Sequence, residues 1–207
     1  MNQRGAPEEG SKAALELAWK KLTDSNIQEL AEGAGATFHN GEISLPHFNQ
    51  TIVIDITTGS MRIGSDDLAI FDRILALHYL LGCDRCKPAG NLISFAQAPG
   101  GDVYYSAFKK RSIDRLTEMF GDAPERLVKL GLLLGGERLK MATVAVKLSF
   151  YPMLPIVVLI WQGDDEVAPA ANLLFDESAT RILATEDLAV VASSVVTILA
   201  KVMKTNQ

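Results

Sequence analysis

Cysteine is scarce in this chain, with two cysteines among 207 residues. Two thiols cannot form the disulfide framework on which small secreted domains depend. The first ten residues, MNQRGAPEEG, contain no apolar stretch of the kind that a secretory signal requires. The sequence therefore predicts a protein of a reducing compartment, and we expect it in the cytoplasm.

Basic residues are in the minority. The chain has 20 Lys and Arg residues against 25 Asp and Glu residues, which gives a net charge of −5. The one cluster of basic side chains, at residues 109–111, is too short to follow the phosphate backbone of a nucleic acid. We therefore expect no nucleic-acid partner.

Long hydrophobic runs are absent too. A helix that crosses a bilayer needs about 20 mostly apolar residues. The stretch 142–161 is interrupted by Lys147, Pro152 and Pro155, and the stretch 188–200 is shorter and contains three hydroxyl side chains. The sequence therefore predicts no membrane-spanning segment and no membrane partner.

Apolar residues nevertheless make up 48% of the chain, which is enough for a sizeable core in a domain of this length. We predict a disordered N-terminal tail over residues 1–10 and a single α+β domain over residues 11–204. The fold is expected to combine an antiparallel meander with a central antiparallel strand pair. Several helices, including a C-terminal helix, are expected to pack against these strands.

Two hairpin signals carry the prediction of the meander. Asn40 and Gly41 lie between two alternating runs, and a type I′ turn needs a positive φ at both of its central residues. The segment 57–59, Thr-Thr-Gly, separates two further candidate strands over 51–56 and 60–63.

The central strand pair is predicted from the last third of the chain. Residues 142–150 alternate between large apolar and smaller or polar side chains, as in a half-buried strand. Residues 155–161 are continuously apolar, as in a strand that is covered on both faces. A helix is predicted from Thr185 onward, because Glu186 and Asp187 are favourable in a first turn.

Capping residues predict where other helices begin. Ser25 with Gln28 three residues later is typical of a capping box. Ser65 is the predicted cap of another helix, with Asp66 and Asp67 in its first turn.

Cys83 and Cys86 form the one spacing in the sequence that is typical of metal or redox sites, and His78 lies upstream. The pair follows a predicted helix and meets its negative end, which disfavours a thiolate. A zinc or iron–sulfur site would also need a fourth ligand. We favour a structural role for these three residues and keep them as weak candidates for a metal or redox site.

Two further histidines, His39 and His47, flank the first hairpin. Imidazoles without a nearby carboxylate are poor evidence for a ligand set, and we interpret both as exposed hairpin residues.

Carboxylates gather after the second central strand. Asp164, Asp165 and Glu166 follow it directly, and Asp176 comes later in the chain. Such groups can hold a divalent metal or share general acid and base roles. A solvated turn between two strands is the simpler interpretation of residues 164–166.

Tyr104 and Arg111 share a predicted helix with Lys109. The basic side chains could bind an anion if this helix lined a cleft, although such residues more often form an amphipathic surface. No P-loop, nucleophile-elbow or zinc-protease motif occurs in the sequence.

A series of short motifs resembles a known family. In chain order the motifs are Leu77-His78-Tyr79-Leu80-Leu81, Ile93-Ser94-Phe95, Gly100-Gly101-x-x-Tyr104, Arg111, Phe120-Gly121, Leu134-Gly135-Gly136, Pro152-x-x-Pro155, Trp161-x-Gly163-Asp164-Asp165-Glu166, Leu174-Phe175-Asp176-x-Ser178 and Leu183-x-Thr185-Glu186-Asp187-Leu188-Ala189. Over residues 15–200 the chain is similar to a family of uncharacterised proteins of anaerobic bacteria and archaea.

The resemblance implies a domain of unknown function. Some members carry an additional N-terminal segment with four cysteines and are described as iron–sulfur proteins. The ten residues ahead of the first predicted helix contain no cysteine, so we expect no cluster in this chain. The shared pattern includes Trp161, Asp164, Glu166 and Asp176.

Three functional hypotheses remain open at this point. The first is a binding or accessory module beside redox or cofactor-dependent enzymes, with a small-molecule ligand or a redox protein as its partner. Its predicted cleft is lined by six residues: Tyr104, Arg111, Trp161, Asp164, Glu166 and Asp176. The second is an enzyme that uses these carboxylates, with or without a divalent metal. The third is a thiol or metal site at Cys83 and Cys86. A homo-oligomer is compatible with all three.

Overall fold

Two antiparallel sheets, joined and covered by helices, make up the part of the chain that the structure describes. This structure is a computed structural model, and it describes residues 5–83 and 86–206. Its α-helices are α1 (Gly5–Thr23), α2 (Ile27–Gly33), α3 (Ile70–Gly82), α4 (Gly101–Arg111), α5 (Ile113–Phe120), α6 (Glu125–Leu133), α7 (Ala179–Ile182) and α8 (Thr185–Thr205). Its strands are β1 (Thr37–His39), β2 (Glu42–His47), β3 (Gln50–Asp55), β4 (Met61–Ile63), β5 (Asp66–Asp67), β6 (Leu92–Ser94), β7 (Glu137–Leu139), β8 (Val144–Tyr151), β9 (Leu154–Trp161) and β10 (Ala170–Asp176). The predicted α+β class is therefore confirmed.

The first sheet, which we call the meander sheet, contains β1 to β5 in chain order, each antiparallel to the next. Its first turn confirms the hairpin prediction, because Asn40 and Gly41 have φ values of 50° and 80°. Ile43, Leu45, Ile52 and Ile54 alternate along β2 and β3 and are buried. The side chains between them form the opposite face of the sheet.

The second sheet, which we call the central sheet, has the strand order β6-β10-β9-β8-β7 and is also antiparallel. The predicted central pair is β8 and β9, joined by the turn at Pro152 and Met153. In β9, all residues from Leu154 to Ile160 are buried, which confirms a strand covered on both faces.

Helices α5 and α6 pack on the central sheet, and α5, α6 and α8 pack against one another. The approach of α6 to β8 is close at Gly131, where an added Cβ would lie 2.4 Å from Val146 Cγ1. Only a residue without a side chain fits at this contact. On the other face of the sheet, Ala145, Val157 and Leu159 form a second, small apolar cluster.

Helix α8 has one face in the core. Its fully buried side chains are Leu188, Val191, Ala192, Val195, Val196 and Leu199. Among the described residues, α8 is the helix whose length and composition would suffice to cross a bilayer, and one third of its most apolar window is buried. The apolar stretch 188–200, which is too short to cross a bilayer, lies within this longer helix of 21 residues.

Three predicted helix starts are wrong. The cap of α2 is Asn26, whose Oδ1 accepts a hydrogen bond from the Glu29 N–H at 3.3 Å, so Ser25 does not cap it. Asp66 and Asp67 pair with β4 as a strand, and α3 begins only at Ile70. Helix α1 begins at Gly5, so the predicted boundary between tail and domain at residue 10 falls inside a helix. Residues 1–4 lie outside the described residues.

Candidate functional site

A cavity of about 830 Å³ lies between the turn that joins β2 to β3, the start of α3 and one face of α8. We call it the α8 cavity. Its α8 residues recur at the three- and four-residue spacing of a single helix face: Val190, Ser193, Ser194, Thr197, Ile198, Lys201, Val202, Thr205 and Asn206. The face extends over 16 residue steps, or about 24 Å of helix. The cavity is therefore elongated along α8.

The turn after β2 forms one wall of the α8 cavity and is fixed to the central sheet. The Phe48 N–H donates to the Ser149 carbonyl oxygen at 3.1 Å, and the Asn49 Nδ2 group donates to the Leu133 carbonyl oxygen at 2.8 Å. Phe48 has a φ of 52°, a left-handed conformation that is uncommon for a bulky residue. These contacts hold the turn in place between β8 and α6.

His47, at the end of β2, contributes a neutral imidazole to this wall. Its Nδ1 lies 2.9 Å from the Phe150 carbonyl oxygen, which can only accept, so Nδ1 carries the proton. Burial lowers the pKa of His47 to about 4, and the hydrogen bond to Phe150 raises it only in part. At neutral pH the Nε2 atom is therefore an unprotonated acceptor. The prediction that His47 is an exposed hairpin residue is wrong, because the ring packs against Phe48 and Phe150.

Asp72, in the first turn of α3, contributes a carboxyl group to the α8 cavity. Burial raises the pKa of Asp72 above its usual value, and the hydrogen bond from Ser194 of α8 opposes this shift only in part. The macrodipole of α3 makes the position favourable for a negative charge. Among the described residues, no ion pair includes Asp72.

Tyr151, at the end of β8, lies close to both of these groups. Its ring centroid is 5.3 Å from that of His47. Burial raises the pKa of Tyr151, and the negative charge of Asp72 raises it further. The phenol therefore stays protonated at physiological pH, and its hydroxyl can donate a hydrogen bond inside the cavity.

The remaining lining is largely apolar, with basic side chains at the surface. Phe71 is 56% exposed and stands next to Asp72 at the start of α3. Arg111 and Lys201 also line the cavity, and both are exposed. Lys201 is two helical turns beyond Ser194, or about 10 Å along α8. Asp72 and Lys201 therefore line two different parts of the cavity.

The six residues predicted from the sequence to line one cleft are separated in the structure. Trp161 pairs with Ala170 at the start of β10, whereas Asp176 is the last residue of the same strand. Six residue steps of a strand correspond to about 20 Å. Of the six, Arg111 lines the α8 cavity, and Tyr104, Trp161, Asp164, Glu166 and Asp176 are not part of its lining.

The acidic turn after β9 is solvated. Asp164 and Glu166 are exposed, and Trp161 retains 42% of its exposure. The Asp164 Oδ1 atom accepts hydrogen bonds from the backbone N–H groups of Glu166 and Val167, at 2.9 and 2.8 Å, which lowers the pKa of Asp164. This carboxylate therefore stabilises its own turn, as the simpler interpretation of the sequence proposed. Ligand binding by these side chains stays a prediction.

Asp176 is buried, and neighbouring protein groups supply its hydrogen bonds. Its two carboxylate oxygens accept hydrogen bonds from the N–H groups of Ala89, Gly90 and Ser178 and from the Ser178 hydroxyl, at 2.6 to 3.0 Å. Burial raises the pKa of Asp176, but these hydrogen bonds lower it by more, so the net shift is downward. The carboxylate fixes the segment before β6 to the end of β10.

His78 is hydrogen-bonded to a carboxylate of α8. Its Nδ1 atom lies 2.8 Å from Asp187 Oδ2, and the imidazole is 36% exposed. The hydrogen bond to Asp187 raises the pKa of His78, against the opposing effect of burial and of Lys21. The pair joins α3 to the first turn of α8.

The thiols have different surroundings. Cys83 is buried, and its thiol donates weakly to the Gly33 carbonyl oxygen at 3.5 Å. Cys86 is half-buried. Residues 84–85 of the C-x-x-C segment lie outside the described residues. Within residues 5–83 and 86–206, no three His, Cys, Asp or Glu side chains are grouped in a way that could hold a metal ion.

The polar residues of the α8 cavity were missed by sequence reasoning. His47, Asp72, Tyr151 and Ser194 come from four elements that are far apart in the chain, and none belongs to a motif. One signal was present. Val190, Ile198 and Val202 give α8 a second apolar stripe beside its core face, which is more than a surface helix needs.

The two antiparallel sheets, the helical cover and this cavity define an α+β domain with room for a small molecule. The chain belongs to the family described as Domain of unknown function (DUF3786), whose model matches residues 26–198. This confirms the predicted membership in a family of unknown function. The matched residues include His47, Asp72, Tyr151 and Ser194 and end before Lys201. Comparison with curated proteins and with solved structures gave no match.

Proposed function

We propose that this domain is a small-molecule-binding module whose ligand occupies the α8 cavity. The observation that carries the proposal is the cavity itself. Its volume of about 830 Å³ falls in the range of roughly 300–1,000 Å³ that is usual for ligand sites. Its lining combines a mostly apolar wall with a few polar groups from separate elements, which is also typical of such sites.

The cavity has rigid walls. The β2–β3 turn is held by backbone and side-chain hydrogen bonds to β8 and α6, and α8 is anchored by its buried face. A pre-formed site binds without a large cost for ordering its walls. This supports binding of a ligand to the structure as it stands.

Binding without catalysis is the better-supported function for this cavity. The hydroxyl groups of Ser193, Thr197 and Thr205 donate to carbonyl oxygens of α8 itself. Among the described residues, no hydroxyl group of the cavity is hydrogen-bonded to a histidine ring, so a hydroxyl nucleophile paired with a histidine base is not found there. The alternative enzyme would need a carboxylate cluster, and Asp164 and Asp176 lie at opposite ends of β10.

We place this module in the cytoplasm, beside redox or cofactor-dependent enzymes that would use or supply its ligand. Low cysteine content and the family resemblance support this placement. Trp161 and Tyr104, which are 42% and 47% exposed, are available as contacts for such a protein partner.

The experiment that tests the proposal uses Nile red, a neutral apolar dye whose fluorescence rises in apolar surroundings. We expect saturable binding at one site on the full chain. Ser194→Trp, which fills the cavity from α8, should weaken binding by at least about tenfold. Glu186→Trp adds the same side chain to the exposed first turn of α8, outside the cavity, and should leave binding unchanged. Equal binding by both variants would rule out the α8 cavity as the site.

A further inference from the structure

We propose that the ligand of the α8 cavity is a small organic cation, with an ammonium group at Asp72 and an apolar body along α8. This inference rests on the proposed function and adds the chemical class of the ligand. The geometry that carries it is the position of one carboxyl group, among aromatic rings and hydrogen-bond acceptors, in the wall of an elongated apolar cavity.

Asp72 places a half-buried carboxyl group in the wall of the cavity. Withdrawing a carboxylate from water is unfavourable unless a cation or hydrogen-bond donors compensate. The side chain of Ser194 lowers the pKa of Asp72 in part, and among the described residues no basic side chain forms an ion pair with Asp72. Burial accordingly raises the pKa of this carboxyl group. A bound ammonium group would supply the missing charge and stabilise the ionised form.

Aromatic rings line the same cavity as Asp72. Phe71 precedes Asp72, and Phe48, Phe150 and Tyr151 belong to one aromatic cluster that also lines the cavity. Centroid distances within this cluster are 5.4 Å between Phe48 and Phe150 and 4.7 Å between Phe150 and Tyr151. The faces of such rings attract cations, and the attraction is stronger where water is excluded.

The hydrogen-bonding groups that line the cavity also favour an ammonium ligand. An ammonium group carries three donors and no acceptor. The cavity offers the Asp72 oxygens, and it offers His47 Nε2, which is an acceptor because Nδ1 donates to the Phe150 carbonyl oxygen. The hydroxyl groups of Ser194 and Tyr151 can accept as well. These groups match an amine better than a carboxylate.

Two other ligand classes fit less well. A divalent metal needs several oxygen or nitrogen ligands, and Asp72 is not part of any such group among the residues the structure describes. A simple anion would find Arg111 and Lys201, but both are exposed, so their charges are already hydrated. Arg111 and Lys201 are instead placed to bind a polar or acidic group at the end of the ligand opposite its ammonium group. Lys201 lies about 10 Å along α8 from Ser194.

The test compares three probes of one chain length by NMR titration of the full chain: n-hexylammonium, 1-hexanol and hexanoate. We expect n-hexylammonium to bind at least about tenfold more tightly than the other two. Asp72→Asn should weaken n-hexylammonium binding by about tenfold and change 1-hexanol binding less than about twofold. Asp102→Asn, an exposed carboxylate of the first turn of α4 outside the cavity, should change neither.

Each result separates the two proposals. If 1-hexanol or hexanoate binds in the cavity as tightly as n-hexylammonium, or if Asp72→Asn leaves n-hexylammonium binding intact, the cationic ligand class is wrong and the binding function stands. If none of the three probes perturbs the cavity residues, both proposals fail. Ultracentrifugation would then show whether a second copy of the chain covers the α8 face. A thermal unfolding curve confirms that each variant is folded.

Discussion

The acidic turn after β9 and the α8 cavity are the two regions of this molecule with several candidate polar side chains. The two regions differ in whether the protein itself supplies the hydrogen-bond partners of those side chains. In the turn, Asp164 accepts hydrogen bonds from the backbone two and three residues later, and its neighbours are exposed. In the cavity, Asp72, His47 and Tyr151 come from three separate elements and line one space. The turn is complete without a ligand, whereas the cavity is lined by a half-buried carboxyl group and by the His47 Nε2 acceptor.

A polar motif in a sequence can therefore mark a turn as readily as a binding site. Aspartate is frequent in turns because its carboxylate hydrogen-bonds the nearby backbone. A binding site needs polar groups that the protein leaves available, and availability depends on packing. Five predictions test this difference.

The largest effect is expected at Asp176. Asp176→Ala leaves the N–H groups of Ala89, Gly90 and Ser178 and the Ser178 hydroxyl without their acceptor. We expect the free energy of unfolding to fall by about 4 kcal/mol, since the two Ser178 groups are buried and each unpaired buried group costs about 1–3 kcal/mol. Urea denaturation at pH 7 measures this. Asp164→Ala is the matched control and should cause a clearly smaller loss, because its turn is exposed to water; similar losses for both variants would contradict the contrast.

The next effect is the pH dependence that His47 gives to stability. The pKa of His47 is about 4 in the folded chain and 6.5 as its ordinary value, so the unfolded chain binds the extra proton first. This contribution is therefore present above pH 6.5 and is lost as the pH falls towards 4. The full difference corresponds to about 3 kcal/mol at most. Urea denaturation of the native chain and of His47→Gln across this range should show a difference in slope, and parallel curves would disprove the assignment.

His78 should give the free energy of unfolding a pH dependence of the opposite sign. The hydrogen bond to Asp187 raises the pKa of His78 in the folded chain, although burial and Lys21 oppose it. Its stabilisation is present below the unfolded pKa and is lost as the pH rises through the folded pKa. His78→Gln should therefore lose stability at low pH relative to high pH, the reverse of His47→Gln.

A smaller effect is expected at Asp72 in the absence of ligand. Burial raises the pKa of this carboxyl group, so its ionised form is disfavoured in the folded chain. The stability that the protonated carboxyl group contributes is lost as the pH rises from the ordinary pKa of 3.8 through the raised pKa of the folded chain. At pH 7, Asp72→Asn should be as stable as the native chain or slightly more stable, as is common when a functional group is removed. A marked loss in thermal unfolding would indicate that Asp72 is structural.

The smallest effect is expected in the acidic turn. The double variant Trp161→Ala, Glu166→Gln changes two exposed side chains outside the α8 cavity. Nile red binding should stay within about twofold of the native value. A strong loss of binding would return the ligand site to the turn that the sequence suggested.

Local signals predicted the strands well. Asn40 and Gly41 specified the first hairpin because few residues tolerate positive φ at two successive positions. The continuous apolar run of β9 specified a strand with both faces covered, since no polar side chain interrupts it before Trp161. In both cases the information lies within a few residues of the element itself.

Helix starts and the candidate site were harder to predict, because they depend on contacts made elsewhere. Asp66 and Asp67 carry the composition of a first helical turn, yet they pair with Arg62 and Ile63 as a strand. His47 looks like an exposed hairpin residue until the aromatic cluster of β8 is packed against it. Asp72 could be placed beside Ser194 only once α3 and α8 were known to be neighbours.

The most direct test of the central claim is a map of backbone amide shifts in the full chain during titration with n-hexylammonium. We expect the largest perturbations on residues 47–50, on Phe71 and Asp72, and on residues 193–198 of α8, with residues 161–167 unaffected. Perturbations confined to residues 161–167, with the α8 cavity silent, would contradict it.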